Sequence, residues 1–192
     1  MSSNAVLDNI YKRRSVRAYT DEPVSEKDIK ELIKAGFHAA NGKDMQKLRF
    51  SVVTNKAKIK EYSDRGKEAY LNFLRSAGIS IPDLEANLKK KDFDIFYGAP
   101  ALILISAAPG ALTPVEDASL AAGNIMLAAR SMGLGTCWIG LAMGLAGDEA
   151  FLRENNIPND HKLLAPIILG YPKNKSDEPS KRSEPQILGW VR

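Results

Sequence analysis

A short basic segment near the start of the chain has the residue types needed to hold an anion. Arg13, Arg14, Ser15 and Arg17 lie close together, and apolar residues interrupt them. Guanidinium groups present planar forks of N–H donors that match phosphate oxygens, and a hydroxyl adds one more donor. The segment therefore predicts a site for one compact anion with several oxygens. On this segment alone, a solvated basic surface or a nucleic-acid patch fits equally well.

The composition is typical of a globular domain with a mild basic excess. The 192 residues fit a single domain, residues 1–192, with a sizeable core, and 44% of them are apolar. The net charge of +4 is less than polyanion-binding proteins of this size usually carry, and the aromatic residues do not interleave with the basic segment. A small phosphorylated ligand suits this charge equally well, and we expect no nucleic-acid partner.

Several other classes of protein are disfavoured by the residues that the chain lacks. Cys137 is the only cysteine, so no intramolecular disulfide can form, and its apolar neighbours favour a buried thiol. Two histidines and no metal-ligand spacing argue against a metal site. No signal-peptide core and no apolar stretch of membrane-spanning length are present, which predicts a cytoplasmic protein without a membrane partner.

The hydrophobic pattern predicts an α+β chain with several helices and few strands. Helices are predicted over residues 5–13, from Ser25 to about 37, over 115–131 and near 148–154, and strands over 49–54, 101–106, 135–141 and 163–169. Residues 55–95 are charged and helical in pattern with a thin apolar face, which indicates an excursion from the core or a lid. Residues 173–192 are typical of an exposed loop followed by an apolar C-terminal arm that needs a partner surface.

Short motifs follow one another in order along nearly the whole chain. They are residues 13–17, 39–50, 97–100, 121–140 and 169–172, followed by Lys181 and Arg182. Together they resemble the FMN-dependent nitroreductase family, whose signature is an Arg-x-Ser-x-Arg/Lys turn after the first helix. The second motif departs from the family's Ala-Pro-Ser-x-x-Asn-x-Gln-Pro-Trp-x-Phe pattern, since Asn41 replaces Ser and Asp44 replaces Asn, while Gln46 is kept.

The resemblance implies a nitroreductase-like fold, with a central, mainly antiparallel sheet flanked by helices. It also implies an intertwined homodimer, with each flavin at the interface between two subunits. The helix over residues 115–131 is rich in small residues, which suit a tight core or a dimer interface, and the apolar C-terminal arm is consistent with a second subunit.

The cofactor implied by the resemblance is FMN, whose phosphate needs charge-assisted donors. Arg13, Ser15 and, from the far end of the chain, Lys181 and Arg182 are the residues implied for it. Arg14 either joins them or turns to solvent. Without the resemblance, the two C-terminal basic residues would be interpreted as exposed loop charges.

Contacts to the rest of the flavin follow from the same resemblance. Arg17 is implied near N1 and the C2 carbonyl, where a cation stabilises the reduced ring; its alternative is a surface ion pair with Asp21 or Glu22. Asn41, Asp44 and Gln46 are implied around the ring or ribityl chain from the partner subunit, although Asp44 could face a neighbouring lysine instead. Gly133, Leu134 and Gly135 are implied at the N5 edge through backbone N–H groups, and a helix C-cap accounts for the first of them equally well.

The implied activity is a two-stage hydride transfer through flavin N5. NADPH or NADH would bind transiently, without a Rossmann motif of its own, and a nitroaromatic, a quinone or a similar acceptor would then take its place. No side chain is an obvious catalytic acid, base or nucleophile, which suits a flavin enzyme. A specialised relative of the same fold is the first alternative: a dehalogenase, a flavin-destructase or a heterocycle dehydrogenase. A non-catalytic basic binding module is the second.

Overall fold

A computed structural model describes residues 4–174, 178 and 181–192 of the chain. The helices are α1 (Ala5–Lys12), α2 (Glu26–Phe37), α3 (Lys56–Ser76), α4 (Pro82–Leu88), α5 (Pro114–Ser131) and α6 (Glu149–Glu154), with 3₁₀ turns at Gly42–Asp44 and Gly140–Gly147. The strands are β1 (Leu48–Val53), β2 (Ala101–Ala107), β3 (Gly135–Trp138) and β4 (Lys162–Gly170). The mixed helix and strand pattern predicted from the sequence is therefore confirmed.

Within the described residues the strands form one sheet in the order β1-β2-β4-β3, and each neighbouring pair is antiparallel. Strand β2 lies at its centre and is buried along its whole length. Leu102 and Leu104 face one hydrophobic cluster, and Ile103 and Ile105 face another on the opposite side of the sheet. The continuous apolar sequence of this strand is typical of a strand that is buried on both faces.

Helices α2 and α5 cover one face of the sheet. A β-carbon at Gly36 of α2 would come within 2.8 Å of Ile125 Cδ1 on α5, so the glycine permits the two helices to approach closely. Ala118, Ala121 and Ala129 of α5 are fully buried in this cluster. These small residues of α5 therefore fill a tight core within the chain itself.

The ends of α2 and β3 show how local sequence sets the element bounds. The Ser25 hydroxyl accepts a hydrogen bond from the Asp28 N–H at 3.0 Å and donates one to the Asp28 carboxylate at 2.7 Å, so Ser25 is the N-cap of the helix predicted to start there. The strand predicted over residues 135–141 ends earlier, at Trp138. The Ile139 N–H still donates to the Pro166 carbonyl, but proline has no N–H to return the bond, and a 3₁₀ segment begins at Gly140.

The first half of α3 belongs to the core on the opposite face of the sheet, so the predicted excursion is wrong for this part of residues 55–95. Ile59 and Tyr62 are each only 2% exposed. Arg65 donates to both carboxylate oxygens of Asp148, at 2.7 and 2.9 Å, and these bonds lower the pKa of Asp148. This charge-assisted pair ties α3 to the start of α6.

The second half of α3 and helix α4 carry more exposed apolar surface. Phe73 is 52% exposed and Ile79 is 46% exposed, whereas Leu74 and Leu88 are buried. A role for this hairpin as a lid stays a prediction. Across the part of the chain that the structure describes, no helix has both the length and the apolarity that a membrane crossing requires.

Candidate functional site

The basic segment that follows α1 runs beside the sheet. The Val16 N–H donates to the Thr136 carbonyl at 2.9 Å, and Ser15 forms a parallel bridge with Thr136. A little further on, the Thr20 N–H donates to the Tyr171 carbonyl at 2.8 Å. The segment is thus fixed first to β3 and then to the residue that follows β4, so its side chains start from a rigid backbone.

Tyr19 locks the turn inside this segment. Its side chain is 5% exposed, and its hydroxyl donates to the Val16 carbonyl at 2.7 Å. Burial raises the pKa of Tyr19, and the nearby Cys137 thiol acts in the same direction. The hydroxyl therefore stays protonated over the ordinary pH range and keeps its donor role.

A groove of about 680 Å³ opens over this segment, between α1, the end of α5 and the start of β3. The cationic side chains along it are those of Lys12, Arg13, Arg14, Arg17 and Arg130, and none of its described lining residues is acidic. Lys12 and Arg130 lie in the last turns of α1 and α5, where a cation also complements the helix dipole. Arg13, the C-cap residue of α1, has the same local reason, whereas Arg14 and Arg17 have none. The cations of the groove and the absence of an acid among its described lining residues suit it to an anion.

Gly133 ends α5 in a left-handed conformation, with φ of 76°. Its N–H donates to the Arg130 carbonyl at 3.0 Å, and the Leu134 N–H donates to the Ala129 carbonyl at 2.8 Å. This pair of bonds is a Schellman motif, so the C-cap interpretation accounts for Gly133.

Gly135 has a different reason to be glycine. A β-carbon there would lie 2.6 Å from Val16 Cγ2 and 2.8 Å from Val16 Cβ. The missing side chain therefore lets the basic segment approach β3 closely enough for the bond between Val16 and Thr136. The sequence indicated a close approach at this glycine, and in the described chain the approaching group is Val16.

Arg17 stacks on an aromatic ring. Its Cζ lies 5.9 Å from the ring centroid of Tyr97, and among the described residues no ion pair joins it to either acidic residue expected as its alternative partner. Asp21, one of those two, pairs with Lys56 at 2.8 Å. The surface ion pair is therefore not formed, and the guanidinium is held by a cation–π contact instead.

Tyr97 itself adopts a left-handed backbone, with φ of 55°. The Asp94 carboxylate accepts hydrogen bonds from the Phe96 N–H and the Gly98 N–H, both at 2.8 Å, and so fixes the turn on both sides of Tyr97. The aromatic ring below Arg17 is thus placed by a defined turn.

The sequence profile of the Nitroreductase family matches residues 10–171, which include the basic segment, most of the groove lining and the whole sheet. This chain belongs to the nitroreductase family. The match covers well over half of the chain, and it confirms the resemblance carried by the ordered motifs.

Individual relatives agree with this family. A candidate NADH dehydrogenase/NAD(P)H nitroreductase of Archaeoglobus fulgidus is 29% identical over 171 residues, covering 89% of this chain and 87% of the relative. An FMN reductase [NAD(P)H] of Bacillus subtilis is 26% identical over 175 residues, covering 90% of this chain and 68% of the relative. A crystal structure of a Bacteroides fragilis nitroreductase with bound FMN superimposes with a TM-score of 0.78 and 27% identity, covering 99% of this chain and 98% of that one.

In this nitroreductase chain the predicted site residues fall into separate groups. The structure brings together Arg13, Arg14, Ser15, Arg17, Gly133, Leu134 and Gly135, all of which line the groove. Lys181 and Arg182 are exposed and are not among its lining residues. Asn174 does line it, and it precedes Lys181 by seven residues (181 − 174).

Asn41, Asp44 and Gln46 do not line the groove either, and they form a hydrogen-bonded surface loop before β1. The Gln46 N–H donates to Asn41 Oδ1 at 2.9 Å, and the Gln46 side-chain amide donates to Asp44 Oδ1 at 3.1 Å. Asp44 is thus held by amide donors, and the lysine contact considered for it is not formed within the described chain.

Sequence reasoning missed several residues that line the groove, among them Lys12, Arg130, Thr136 and Asn174. Lys12 is contiguous with the basic segment, and Arg130 sits three residues before the predicted cap glycine, so their positions carried a usable signal. Arg130 also bonds to Asn9 Oδ1 at 3.1 Å and so joins α5 to α1. Thr136 and Asn174 reach the groove only through tertiary pairing, which no local pattern reveals.

The close approach at Gly135 can be tested by substitution. We expect Gly135→Ala to destabilise the fold by about 1–3 kcal/mol, because the new methyl group would overlap Val16 in a well-packed place. Adding Val16→Ala should recover part of that loss, since it removes the overlapping Cγ1 and Cγ2 atoms and leaves only Cβ. Urea unfolding of the single and double variants measures the coupling between the two sites.

Gly133→Ala is the matched control, because no atom lies within 4 Å of a β-carbon there. Its cost should come from the left-handed backbone alone, on the order of 1 kcal/mol, and Val16→Ala should not reduce it. Equal losses in the single and double Gly135 variants would contradict the proposed steric contact.

Proposed function

We propose that this chain is an FMN-dependent oxidoreductase that accepts hydride from NADPH or NADH and passes it to a small acceptor, such as a nitroaromatic or a quinone. The observation that carries the proposal is the groove lined by several cations and by no described acid, placed at a glycine-rich turn of the family fold. The names of relatives support it, because they include an FMN reductase and a nitroreductase with bound FMN.

The side chains along the groove fit the phosphate of FMN. Arg13 is half-buried and Ser15 follows it on the segment fixed to β3, so two donors of different kinds start from one rigid backbone. Arg14 is exposed at the same groove and can add a second guanidinium. A phosphate dianion needs several charge-assisted donors, and this set supplies them without a competing carboxylate.

The far end of the chain completes the phosphate site in this proposal. Lys181 and Arg182 are exposed, and Asn174 already lies at the groove. Seven residues can span at most about 25 Å when fully extended, which is enough to return a basic pair to the groove or to carry it to a neighbouring subunit. Both routes bring these two cations to one phosphate group.

Bound FMN would supply the hydride acceptor and donor that no side chain of the protein provides. Arg17, kept beside Tyr97, offers a fixed positive charge that favours a reduced, anionic ring over an oxidised one. The open space at Gly133 leaves room for a planar group against the turn, because no described atom lies within 4 Å of a β-carbon position there. Gly133, Leu134 and Gly135 then form the wall of the groove nearest the redox edge.

The nicotinamide and the acceptor share the open side of the groove. The wall has no separate dinucleotide motif, so the reduced nicotinamide binds briefly, leaves, and is replaced by the acceptor. A small flat acceptor such as a nitroaromatic or a quinone suits such a shared place. The proposal includes a cytoplasmic location, where NADPH and NADH are available.

A homodimer is part of the same proposal. Helix α1 has no buried residue, and its apolar face is exposed, with Val6 at 67% and Tyr11 at 58%. The C-terminal arm, residues 181–192, is also exposed, with Leu188 at 100% and Trp190 at 75%. Exposed apolar side chains in such number favour association, and the resemblance indicates a second copy of the chain as the partner.

The first test of the function is the flavin itself. We expect the purified protein to bind FMN, to show a flavin absorption spectrum and to bleach when NADPH or NADH is added without oxygen. Replacing Arg13 and Arg182 together by Gln should weaken FMN binding on the order of 100-fold or more, because two charge-assisted donors are lost. Fluorescence titration of the apoprotein with FMN measures this change.

The control for the double variant changes the same net charge elsewhere. Lys30→Gln combined with Arg75→Gln removes two exposed cations on α2 and α3, neither of which lines the groove, and should leave FMN affinity unchanged. Wild-type protein that stays colourless with added FMN would overturn the proposed function. Unchanged affinity in the Arg13 and Arg182 variant would overturn only the phosphate assignment.

The proposed role of Arg17 predicts an effect on potential more than on binding. Arg17→Gln should keep the flavin but lower its midpoint potential by on the order of 30 mV, which corresponds to about 1.4 kcal/mol for a two-electron couple. Arg17→Lys retains the charge and should lie close to wild type. Redox titration against a reference dye measures both, and equal potentials in all three proteins would reject this role.

The proposed dimer predicts a mass close to twice the chain mass of 21.0 kDa in light scattering. Removing residues 183–192 should shift the protein toward the monomer, because the arm's exposed apolar side chains lose their partner surface. The remaining core should stay folded, since no residue of the arm is buried in it. Phe73→Ser alters an exposed apolar residue outside the arm and should leave the mass unchanged; a wild-type monomer would refute the dimer.

A further inference from the structure

The loop that carries Asn41, Asp44 and Gln46 has an unusual backbone. Lys43, Asp44 and Gln46 adopt left-handed conformations, with φ of 50°, 52° and 52°. None of them is glycine, and a β-carbon makes such conformations unfavourable by roughly 1–2 kcal/mol for each residue. Three of them within four positions persist only if the surrounding structure imposes the shape of the loop.

Asp117, in the first turn of α5, is the group that anchors this loop. Its Oδ1 accepts a hydrogen bond from the Gly42 N–H at 3.0 Å and another from the Thr113 hydroxyl at 2.8 Å. The residue is only 4% exposed, and no ion pair joins it to a cation among the described residues. These two hydrogen bonds and the N-terminal end of α5 are the favourable interactions that hold the side chain in its buried position.

At Gly42 the loop lies in close contact with the N-terminal end of α5. A β-carbon at Gly42 would overlap the Thr113 hydroxyl oxygen, so the backbone here passes directly over the start of α5. Gly42 is therefore held both by its hydrogen bond to Asp117 and by its close contact with Thr113. Together they fix where the left-handed stretch begins.

The side chains beyond this anchor are tied to one another and not to the core. Asp44 Oδ1 accepts from both amide groups, Gln46 at 3.1 Å and Asn41 at 3.4 Å, and all three residues lie outside the groove of their own chain. Asp44 and Gln46 are exposed. A loop held in a costly backbone conformation, with hydrogen-bonded polar side chains that do not line its own groove, is suited to a contact with another molecule.

We propose that Asp117 is a positioning residue that holds residues 41–46 in the shape needed to contact the flavin bound by the neighbouring subunit. This inference rests on the proposed function and on the proposed homodimer. Asp117 acts through Gly42 and does not touch the flavin. The buried carboxylate is thereby explained by the loop that it shapes.

The experiment measures flavin binding to full-length variants. Asp117→Ala removes the acceptor for the Gly42 N–H and should raise the Kd for FMN by about tenfold or more, through loss of the ordered loop. Asp117→Asn keeps an oxygen acceptor and should recover most of the affinity. Glu116→Ala, an exposed acidic residue in the same turn, is the matched control and should bind FMN like the wild type.

The near-ultraviolet and visible circular dichroism of bound flavin separates positioning from general stability. We expect the flavin bands to change in Asp117→Ala at temperatures well below its unfolding transition, while the far-ultraviolet spectrum stays that of the wild type. If Asp117→Ala does not fold, Gly42→Ala displaces the same loop from the other side by overlap with Thr113 and should give the same change. Wild-type affinity and wild-type flavin bands in a folded variant would overturn the proposal.

Mixed dimers test whether the loop acts across the interface. One subunit carries Asp117→Ala, the other carries Arg13→Gln alone, because Arg13 lines the groove of its own chain, and two different affinity tags isolate the mixed species. Each parent should bind FMN weakly, whereas one of the two sites in the mixed dimer combines intact phosphate residues with an intact loop. Tight binding of one FMN per mixed dimer supports the proposal, and weak binding at both sites overturns action across the interface.

The outcome for wild-type protein keeps the two proposals separate. If the wild-type protein binds no FMN, the proposed function is overturned, and no comparison of variants is needed. Wild-type protein that binds FMN, together with an Asp117→Ala variant that binds it equally well, leaves the function standing and removes only the role of Asp117.

Discussion

The close contact between the basic segment and the first residues of β3 is the constraint on which the groove depends. Gly135 has no side chain, so Val16 can lie against it and donate to Thr136 at 2.9 Å. One such hydrogen bond contributes only about 1 kcal/mol to stability. The packing of Val16 against Gly135 therefore also has to hold the segment against β3. Because the backbone is fixed here, arginines that would sweep a wide volume on a free loop start from defined positions.

The parts of the fold that could be predicted from sequence were those with local causes. The apolar run of β2 requires cover on both faces, and the pair Ser25 and Asp28 caps a helix by its own chemistry. The burial of α3 was missed because its core residues are spaced among charges. Lys67 counts as a surface residue in any sequence scale, yet it is 7% exposed and donates to the Phe93 carbonyl at 2.9 Å.

The candidate site divides in the same way. The turn with Arg13, Ser15 and Arg17 carries a recognisable spacing, and its placement at a groove agrees with that spacing. The left-handed backbone at Lys43 and Gln46 could not be foreseen, because neither residue type prefers it and the anchor, Asp117, lies more than seventy positions away in the sequence. Only the folded chain brings that carboxylate beneath the loop.

In the proposed dimer, a single chain contributes two separate halves of a site. One half is the cationic groove, and the other is a rigid polar loop with an exposed arm elsewhere on the surface. In the proposed dimer each half meets its complement on the second copy. Such an arrangement would couple assembly to cofactor binding, since under the proposal the second copy completes the pocket and covers the exposed apolar side chains.

The position of the basic segment also protects one edge of the sheet from pairing with strands of other molecules. Strand β3 is the outermost strand on its side, and an uncovered edge of this kind can recruit strands from foreign chains into aggregates. Val16 and Ser15 occupy that edge. The same short stretch of main chain therefore protects the sheet edge from aggregation and carries the basic side chains of the groove.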